Sequence, residues 1–280
     1  MSRFPELKGK VALITGAGRA GGLGEGIARR LAGEGCRVVI TDIGRDRGAE
    51  MPPSAIGSDE EMARTAAAIR DAGGDCTAMS LDVLEEAQVE AVIAEIIASF
   101  GGIDILVNNA GIGYLMKPIT DMDVSEWDAV QGVNLRGAFL CIKHAARAMQ
   151  AQGRGGRIIN IASQAAKSGF PHAAAYCSSK HGVVGLTRVA ALELGQHGIT
   201  VNAVCPNHVT TGLGAWQNEY FARLSGQSVE EYLAAMRGRI PLGRPGKPDD
   251  TAAACAFLCS DDAAYITGEA MNVSGGEETH

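Results

Sequence analysis

The sequence lacks three features, and each absence excludes a class of protein. It has no surplus of positive charge, because 25 Lys and Arg stand against 32 Asp and Glu, for a formal net charge of −7. Such a chain has no electrostatic reason to bind phosphate backbones or anionic lipids. We therefore expect neither a nucleic acid nor a membrane as a partner.

The chain also begins without an apolar run. Residues 1–10 are polar and are interrupted by Pro5. They have neither the apolar core of a signal peptide nor the length of a membrane span. We expect a cytoplasmic protein.

The third missing feature is a paired arrangement of cysteines. The seven cysteines are odd in number and scattered, and neither they nor the histidines have the spacing of metal ligands. Reduced, mostly buried thiols and no metal are therefore expected. Cys255 and Cys259 lie four residues apart on a predicted helix, which favours a packed apolar stripe.

What the sequence has is an alternation of apolar, β-rich runs with helical patterns. A chain of 280 residues, 46% of them hydrophobic, fits one large domain over residues 1–280. Strands that alternate with helices predict a parallel, doubly wound α/β sheet of the Rossmann type. The seven predicted strands are Val11–Thr15, Arg37–Thr41, Thr77–Leu81, Ile103–Val107, Arg157–Ile161, Thr200–Val204 and Ala270–Val273.

Two stretches depart from this alternation. The first is Ile43–Gly57, which contains Pro52 and Pro53. The second covers residues 210–246; it is aromatic, has helical patterning and follows the end of a strand. Ligands of open α/β sheets bind beyond the strand ends, and long excursions there are often functional. The sequence therefore predicts a helical substrate lid at about 210–246.

A glycine-rich turn follows the first strand and opens a helix. The segment Thr15-Gly-Ala-Gly-Arg-Ala-Gly-Gly-Leu-Gly24 offers backbone amides to a pyrophosphate at a helix N-terminus. Asp42 ends the second strand, where a carboxylate accepts the adenosine ribose hydroxyls of NAD and repels the 2′-phosphate of NADP. We therefore expect NAD rather than NADP, although Arg19, Arg45 and Arg47 lie close enough in sequence to weaken this exclusion.

The strand ends carry further motifs in a fixed order. These are Asn108-Asn-Ala-Gly111, Asn134, Ser163, Tyr176-Cys-Ser-Ser-Lys180 and Pro206-Asn-His-Val-Thr-Thr211. Together they resemble the short-chain dehydrogenase/reductase family. The resemblance covers nearly the whole chain, from Gly9-Lys-Val-Ala-Leu-Ile-Thr-Gly16 to Thr267-Gly-Glu-Ala-Met-Asn-Val-Ser-Gly-Gly276, and its sugar-alcohol and small-ketone members are the most similar in the lid region.

The chemistry of these residue types is independent of the family name. A tyrosine hydroxyl, with an ordinary pKa near 10, becomes an acid or base near neutrality when a cation stabilises its phenolate. Lys180 is one helical turn from Tyr176 and can supply that cation. Ser163 would hold the substrate oxygen while Tyr176 exchanges a proton with it and nicotinamide exchanges a hydride.

The resemblance adds further roles. It implies that Asn134 holds a water in a proton relay and that Lys180 also binds the nicotinamide ribose. By position it assigns cofactor contacts to Gly16, Gly22, Leu23, Gly24, Asp42, Asp82, Val83, Asn109, Gly111, Tyr176, Lys180, Pro206, Val209 and Thr211. It also implies a homotetramer; Trp127 and Phe139 are interpreted as core or subunit-contact residues.

The chain departs from the family pattern in two places. The glycine turn is two residues longer than usual, so Gly18 competes with Gly16 as the first pyrophosphate glycine; we favour Gly16, Gly22 and Gly24. Asn207 replaces a glycine that commonly follows Pro206. Asparagine is expected there because it tolerates left-handed backbone conformations.

The expected substrate is small and polar. The residues predicted to bind it are Ser163, Gln164, Ala165, Phe170, His172, Tyr176, Asn207 and His208. Amide and imidazole groups suit a sugar, a polyol or a related hydroxy acid, because leaving them unpaired costs about 1–3 kcal/mol each. Lys117, Lys167 and His172 are candidate partners for an acidic substrate group, although solvated positions are the more common role of such residues.

Two alternatives stay open. A hydrophobic alcohol such as a steroid would use Trp216, Tyr220, Phe221 and Met236 as an apolar lining. A non-catalytic dinucleotide-binding sensor or scaffold would show a broken Ser-Tyr-Lys set. That set is intact here, which favours an enzyme.

Overall fold

A computed structural model describes residues 2–44 and 57–280. In these residues seven strands form one parallel sheet with the order β3-β2-β1-β4-β5-β6-β7. The predicted doubly wound α/β fold with a single domain is therefore confirmed. The strands are β1 (Val11–Thr15), β2 (Arg37–Asp42), β3 (Asp75–Ser80), β4 (Ile105–Asn108), β5 (Gly156–Ile161), β6 (Ile199–Pro206) and β7 (Ala270–Val273).

Helices cover both faces of the sheet. In the described ranges they are α1 (Leu23–Gly33), α2 (Asp59–Asp71), α3 (Glu86–Phe100), α4 (Val124–Gln131), α5 (Ala138–Gln152), α6 (Ala174–Leu194), α7 (Gly212–Leu224), α8 (Val229–Arg239) and α9 (Pro248–Cys259). A π-helical turn, Gly132–Gly137, joins α4 to α5. None of the helices in the described part of the chain is long and apolar enough to cross a membrane.

The bounds of β1 and β7 are as predicted, whereas those of β2 to β6 differ by one or two residues, because hydrogen bonds between strands set the ends. The fourth strand begins at Ile105 rather than Ile103. Before it, the Asp104 carboxylate accepts a hydrogen bond from the Val11 amide at 2.9 Å, so a side chain takes the place of a strand partner. Because Val11 and Asp104 are far apart in the sequence, local composition cannot predict this contact.

Two apolar cores account for the absence of polar alternation in the strands. Along β1, Ala12 and Ile14 pack with α1 and α9, whereas Val11 and Leu13 pack with α3 and α5. Every residue of β1 is buried as a result. Burial on both faces is what a parallel sheet covered by helices requires.

Cys255 and Cys259 belong to the first of these cores, as predicted. Both thiols are buried, and burial raises the pKa of Cys255 to about 12. The seven cysteines are all free. These two are therefore packing groups in α9.

Trp127 and Phe139 are not core residues. They are 37% and 47% exposed, so the core interpretation is wrong, and the subunit-contact interpretation stays a prediction. The excursion Ile43–Gly57, with Arg45, Arg47, Pro52 and Pro53, lies outside the described residues except at its ends. The second excursion contains α7 and α8, so its predicted helical patterning agrees with the structure.

Candidate active site

Two cavities adjoin at the carboxyl edge of the sheet. The first, of about 190 Å³, lies where the strand order reverses between β1 and β4, and we call it the glycine-turn cavity. The second, of about 330 Å³, lies between the ends of β5 and β6 and helices α7 and α8, and we call it the lid cavity. Leu23, Thr211 and Leu213 line both, so the two cavities are contiguous.

Close backbone approach explains two of the glycines in the glycine-turn cavity. Gly16 has a φ of 64°, and a Cβ on it would lie 2.6 Å from the Ala110 Cα. A Cβ on Gly24 would lie 2.7 Å from both the Ala17 Cα and the Asn109 Nδ2. Only glycine fits at such positions. The wall so formed offers the N-terminus of α1 to the cavity, and this is the backbone arrangement that binds phosphates.

The structure distinguishes between the two candidate glycine sets by position. Gly16, Gly22, Leu23 and Gly24 all line the glycine-turn cavity. Gly18 turns away from it and donates its amide hydrogen to the Asp42 carboxylate at 3.0 Å. The extra residues of the turn therefore bind the end of β2 through Gly18, and Gly16, Gly22 and Gly24 remain at the cavity wall.

Arg19, in the same longer turn, reaches across the cavity. Its guanidinium donates to the Tyr114 hydroxyl at 3.2 Å and lies against Gly212, where a Cβ would be 2.3 Å from one guanidinium nitrogen. It also lines the glycine-turn cavity together with Asp42. One side chain thus spans from the glycine turn to the first residue of α7.

Asp42 lies at the edge of the glycine-turn cavity. One carboxylate oxygen accepts from the Ile43 amide at 2.8 Å and the other from Gly18. Burial raises the pKa of this carboxyl, while those two backbone amides and the Arg19 charge act in the opposite direction. Each oxygen keeps a second lone pair for a hydroxyl donor.

The other predicted cofactor residues fall into two groups. Asp82, Val83, Asn109 and Gly111 line the glycine-turn cavity. Pro206 and Val209 line the lid cavity, and Thr211 lines both. Asn109 has a second role: its Nδ2 donates to the carbonyl oxygens of Thr15 and Gly16 at 2.9 and 2.8 Å, which ties the β4 end to the glycine turn.

Ser163, Tyr176 and Lys180 meet beside these cavities. Ser163 follows β5, and its Oγ accepts from the Ala165 amide at 3.1 Å. The Ser163 side chain is close enough to Tyr176 to lower the pKa of the tyrosine hydroxyl. The Lys180 Nζ lies 5.7 Å from the centroid of the Tyr176 ring and donates to the Ile161 carbonyl at 2.8 Å. The helical spacing and the strand end therefore bring the three side chains together as predicted.

Burial changes the pKa of both titratable groups in this set. It raises the pKa of Tyr176, and the Ser163 side chain opposes that effect. It lowers the pKa of Lys180 to about 8. A lysine that titrates near neutrality is well suited to exchange protons with its surroundings.

Asn134 lies in the π-helical turn between α4 and α5, and it is buried. Its Oδ1 accepts from the Ile112 amide at 2.8 Å, and its Nδ2 donates to the Ile112 carbonyl and to the Ser179 hydroxyl. A Cβ on Gly111 would lie 3.2 Å from the Asn134 Oδ1 and 3.5 Å from the Lys180 Nζ. Asn134 and Lys180 therefore converge on the same backbone position.

Most of the predicted substrate residues line the lid cavity; His172 does not. Its Nδ1 shares a hydrogen bond of 2.7 Å with the Tyr220 hydroxyl. Among the described non-glycine residues, His172 alone has a positive φ, of 68°. The residues that do line the cavity are Ser163, Gln164, Ala165, Phe170, Tyr176, Asn207 and His208.

The reason expected for Asn207 is wrong. Its φ is not positive, so left-handed backbone does not explain the replacement of glycine. The side chain instead donates its amide hydrogen to the Glu277 carboxylate at 2.5 Å. Lys117 does not line the lid cavity, where it would have to lie to bind an acidic substrate group. Its ammonium group instead pairs with the Glu126 carboxylate at 2.6 Å.

Sequence reasoning missed several residues of the lid cavity. Those with polar or large side chains are Leu213, Gln217, Asn218, Tyr232, Arg239 and Glu277. The α8 residues Tyr232, Met236 and Arg239 have the spacing i, i+4, i+7 of one helix face, and this signal was available in the sequence. Glu277 has no such signal, because it reaches the cavity through a turn at the end of the chain.

Metal-binding geometry is not found in this part of the protein. Within residues 2–44 and 57–280, no group of three or more His, Cys, Asp or Glu side chains is placed to hold a metal ion.

Known proteins are similar to this chain in both sequence and fold. The family model described as enoyl-(acyl carrier protein) reductase matches residues 16–278. A short-chain dehydrogenase/reductase of Armillaria gallica is 39% identical over 269 residues, covering 96% of each chain. Galactitol 2-dehydrogenase of Agrobacterium fabrum is 38% identical over 270 residues, covering 96% of this chain and 98% of that protein.

A solved structure extends the comparison to the fold. The crystal structure of a tryptophan variant of the actinorhodin polyketide ketoreductase with NADPH superposes with a TM-score of 0.88 at 37% identity, covering 97% of this chain and 98% of that chain. The names of these proteins describe a short-chain dehydrogenase/reductase, a galactitol dehydrogenase and a polyketide ketoreductase. The chain therefore belongs to the short-chain dehydrogenase/reductase family and is an oxidoreductase that acts on an alcohol or ketone carbon.

Proposed function

We propose that this protein is an NAD(H)-dependent dehydrogenase for a secondary alcohol in a sugar, a polyol or a related hydroxy acid. The observation that carries the proposal is the meeting of Ser163, Tyr176 and Lys180 at the junction of the two cavities. Tyr176 lines the lid cavity, while Lys180 lies close to Gly111 of the glycine-turn cavity. An oxidised nicotinamide that accepts a hydride in one cavity and an alcohol in the other would both lie beside the proton-exchanging groups.

The glycine-turn cavity fits a nicotinamide dinucleotide. Gly16 and Gly24 leave part of its wall without side chains, and the N-terminus of α1 opens onto that part. The residues proposed to hold the cofactor there are Gly16, Gly22, Leu23, Gly24, Asp42, Asp82, Val83, Asn109, Gly111, Tyr176, Lys180, Pro206, Val209 and Thr211. When bound, the nicotinamide supplies the hydride acceptor or donor for the reaction.

Asp42 supports NAD over NADP. Its carboxylate lines the cavity with a lone pair available on each oxygen for ribose hydroxyls, and its charge opposes a 2′-phosphate. The positive charge of Arg19 favours a 2′-phosphate and so opposes this preference, because Arg19 lines the same cavity. Its guanidinium, however, donates to Tyr114 rather than to Asp42.

In the proposed reaction, Ser163 holds the substrate oxygen and Tyr176 exchanges the hydroxyl proton with it. During oxidation Tyr176 must accept that proton as a phenolate. Burial raises the pKa of Tyr176, so little phenolate is present at neutral pH. The phenolate fraction increases as the pH rises, and the rate of oxidation is expected to increase with it. Lys180 stabilises the phenolate, and Asn134 holds the water of the relay that the family resemblance implies.

The lid cavity supports a small polar substrate. Gln164, Asn207 and His208 bring amide and imidazole groups to its wall. A volume of about 330 Å³ is at the lower end of the range for small-molecule sites. The relative named galactitol 2-dehydrogenase acts, by its name, on a polyol.

A hydrophobic alcohol is the second candidate, and the aromatic part of the lid cavity favours it. Phe170, Phe221 and Tyr232 line the cavity, with Phe170 and Phe221 in an edge-to-face contact at 5.7 Å. Of the four residues expected to form an apolar lining, Phe221 and Met236 do so, whereas Trp216 and Tyr220 stack on each other outside it.

The test is the production of NADH from NAD in the presence of sorbitol, mannitol, xylitol, lactate, 2-butanol and a steroid alcohol. Tyr176→Phe is assayed in parallel and is expected to lower kcat by about 10²–10⁴-fold with unchanged NADH affinity. Turnover of a steroid alone would overturn the substrate choice. Silence of every substrate, with NADH binding intact, would favour the non-catalytic sensor.

A further inference from the structure

An ion pair occupies one wall of the lid cavity. The Arg239 Nε lies 3.1 Å from one oxygen of the Glu277 carboxylate, and both residues line the cavity. The Glu277 side chain is 15% exposed, whereas that of Arg239 is 50% exposed. The pair therefore presents a largely enclosed carboxylate and an accessible guanidinium to whatever enters.

A tight turn after β7 fixes Glu277 in this place. Gly275 and Gly276 have φ values of 64° and 95°, and added Cβ atoms would lie 2.7 Å from Ile240 Cγ2 and 3.0 Å from Pro241 Cγ. The next residue, Glu278, is buried and accepts from the Ser168 hydroxyl at 2.9 Å. The carboxylate of Glu277 is thus held between two anchored points.

The groups around the pair complete a polar cluster with no net charge. Asn207 donates to the second oxygen of Glu277, and the His208 Nε2 lies 3.8 Å from that oxygen. Burial lowers the pKa of His208, which favours its neutral form. The Arg239 guanidinium lies near Tyr232 and lowers the pKa of its hydroxyl, against the effect of burial. One positive and one negative charge therefore remain, and they compensate each other.

Such a cluster has consequences for the ligand. A carboxylate that approached Arg239 would also meet Glu277, and like charges at close range repel. An apolar ligand would leave partly enclosed polar groups without partners. Neutral hydroxyl groups fit both members, because a hydroxyl donates to a carboxylate and accepts from a guanidinium.

We propose that Glu277 and Arg239 bind the distal hydroxyl groups of a neutral polyhydroxylated substrate and so select polyols over hydroxy acids and simple alcohols. The inference rests on the proposed function and sharpens it to one substrate class. Glu277 and Arg239 act as specificity residues, since the proton and hydride are exchanged at Ser163, Tyr176 and Lys180. A site that hydrogen-bonds a substrate hydroxyl discriminates strongly against the analogue that lacks it.

The experiment compares three substrates in the wild type and in Glu277→Gln. The substrates are the best polyol among sorbitol, mannitol and xylitol; 2-butanol, which has no distal hydroxyl; and gluconate, which carries a carboxylate. In the wild type, kcat/KM is expected to be at least tenfold higher for the polyol than for either of the others. In Glu277→Gln the ratio of polyol to 2-butanol falls about tenfold through KM, and the ratio of gluconate to polyol rises.

Two controls separate specificity from damage to the fold. Arg237→Gln changes an exposed α8 residue outside the cavity and should leave all three ratios as in the wild type. NADH affinity and the melting temperature of Glu277→Gln should also match the wild type. A disturbed tail would instead lower kcat/KM for the three substrates together, and that result would overturn the specificity role.

The remaining outcomes are distinct. If 2-butanol or gluconate is oxidised as well as the polyol by the wild type, the inference is wrong while the proposed dehydrogenase reaction stands. If neither alcohol nor hydroxy acid is oxidised with NAD, the proposed function fails and the inference falls with it.

Discussion

The two cavities are built in different ways. The glycine-turn cavity is formed by backbone at the ends of β1, β2 and β4, where Gly16 and Gly24 bring segments into contact at distances that exclude a Cβ. The lid cavity is lined largely by side chains, which come from the segments after β5 and β6, from α7 and α8, and from the C-terminal tail. A backbone wall allows little variation, whereas a side-chain wall changes with each substitution. The cofactor binding and the substrate selection that we propose would therefore depend on walls of different construction.

Lys180 lies between Tyr176 of the lid cavity and Gly111 of the glycine-turn cavity, so its loss should have the largest effect on the proposed reaction. Lys180→Met is expected to lower kcat by about 10²–10⁴-fold, because Tyr176 loses its cation. The same change should stabilise the cofactor-free protein by about 2 kcal/mol at pH 7. The shift of the Lys180 pKa from 10.5 to about 8 corresponds to about 3 kcal/mol, and loss of the hydrogen bond to the Ile161 carbonyl offsets about 1 kcal/mol of it.

The sign of this effect can be checked by pH. Between pH 8 and 10.5 the unfolded chain binds a proton at Lys180 that the native chain has lost, so wild-type stability should gain a contribution that rises with pH. Lys180→Met lacks that rise. Thermal melts of both proteins at pH 7 and pH 9.5 measure it, and a constant difference between them would contradict the burial argument.

Gly24→Ala should damage the glycine-turn cavity alone. Its Cβ would lie 2.7 Å from Ala17 and Asn109, and we expect a loss of about 1–3 kcal/mol in the free energy of unfolding from overpacking. Affinity for NADH, measured by fluorescence titration, should fall tenfold or more. Gly33→Ala is the matched control on the same helix, because nothing lies within 4 Å of its Cβ position; it should bind NADH as the wild type does.

Asp42→Ala tests the cofactor preference that we propose for the same cavity. Removing the carboxylate eliminates both the hydroxyl acceptor and the repulsion of a 2′-phosphate, so the ratio of NADH to NADPH affinity should fall about tenfold. Asp71→Ala, at the exposed end of α2, is the control. An unchanged ratio in Asp42→Ala would show that Asp42 does not select the cofactor, and Arg19 would then be the residue to test.

The smallest expected effect is in the lid cavity. Phe221→Leu removes a ring that contacts Phe170, Tyr220 and Tyr232, and each such aromatic pair contributes about 0.5–1.5 kcal/mol. We expect KM for the substrate to change by about 2–10-fold, with NADH affinity unaffected. Equal changes in both quantities would show that the two cavities are not independent.

Much of the glycine-turn cavity and of the sheet that carries it could be predicted from the sequence. The apolar runs predict the seven strands, and the four-residue spacing of Tyr176 and Lys180 predicts their shared helix face. The sequence also favoured Gly16, Gly22 and Gly24 over Gly18, and the structure places these three at the cavity wall while Gly18 turns towards Asp42. These features depend on short-range periodicity and on the meeting of parallel strand ends at one edge.

Which side chains line the lid cavity was decided by the tertiary structure. His172 turns to Tyr220 instead of the lid cavity, and Asn207 is held by Glu277, which lies 70 residues further along the chain. The bond between Arg239 and Glu277 also joins residues that are 38 positions apart. Local sequence determines which segments become helices and strands, because their hydrogen bonds and apolar faces are periodic. Which side chains meet across turns and chain ends depends on how those elements pack, and only the tertiary structure contains that information.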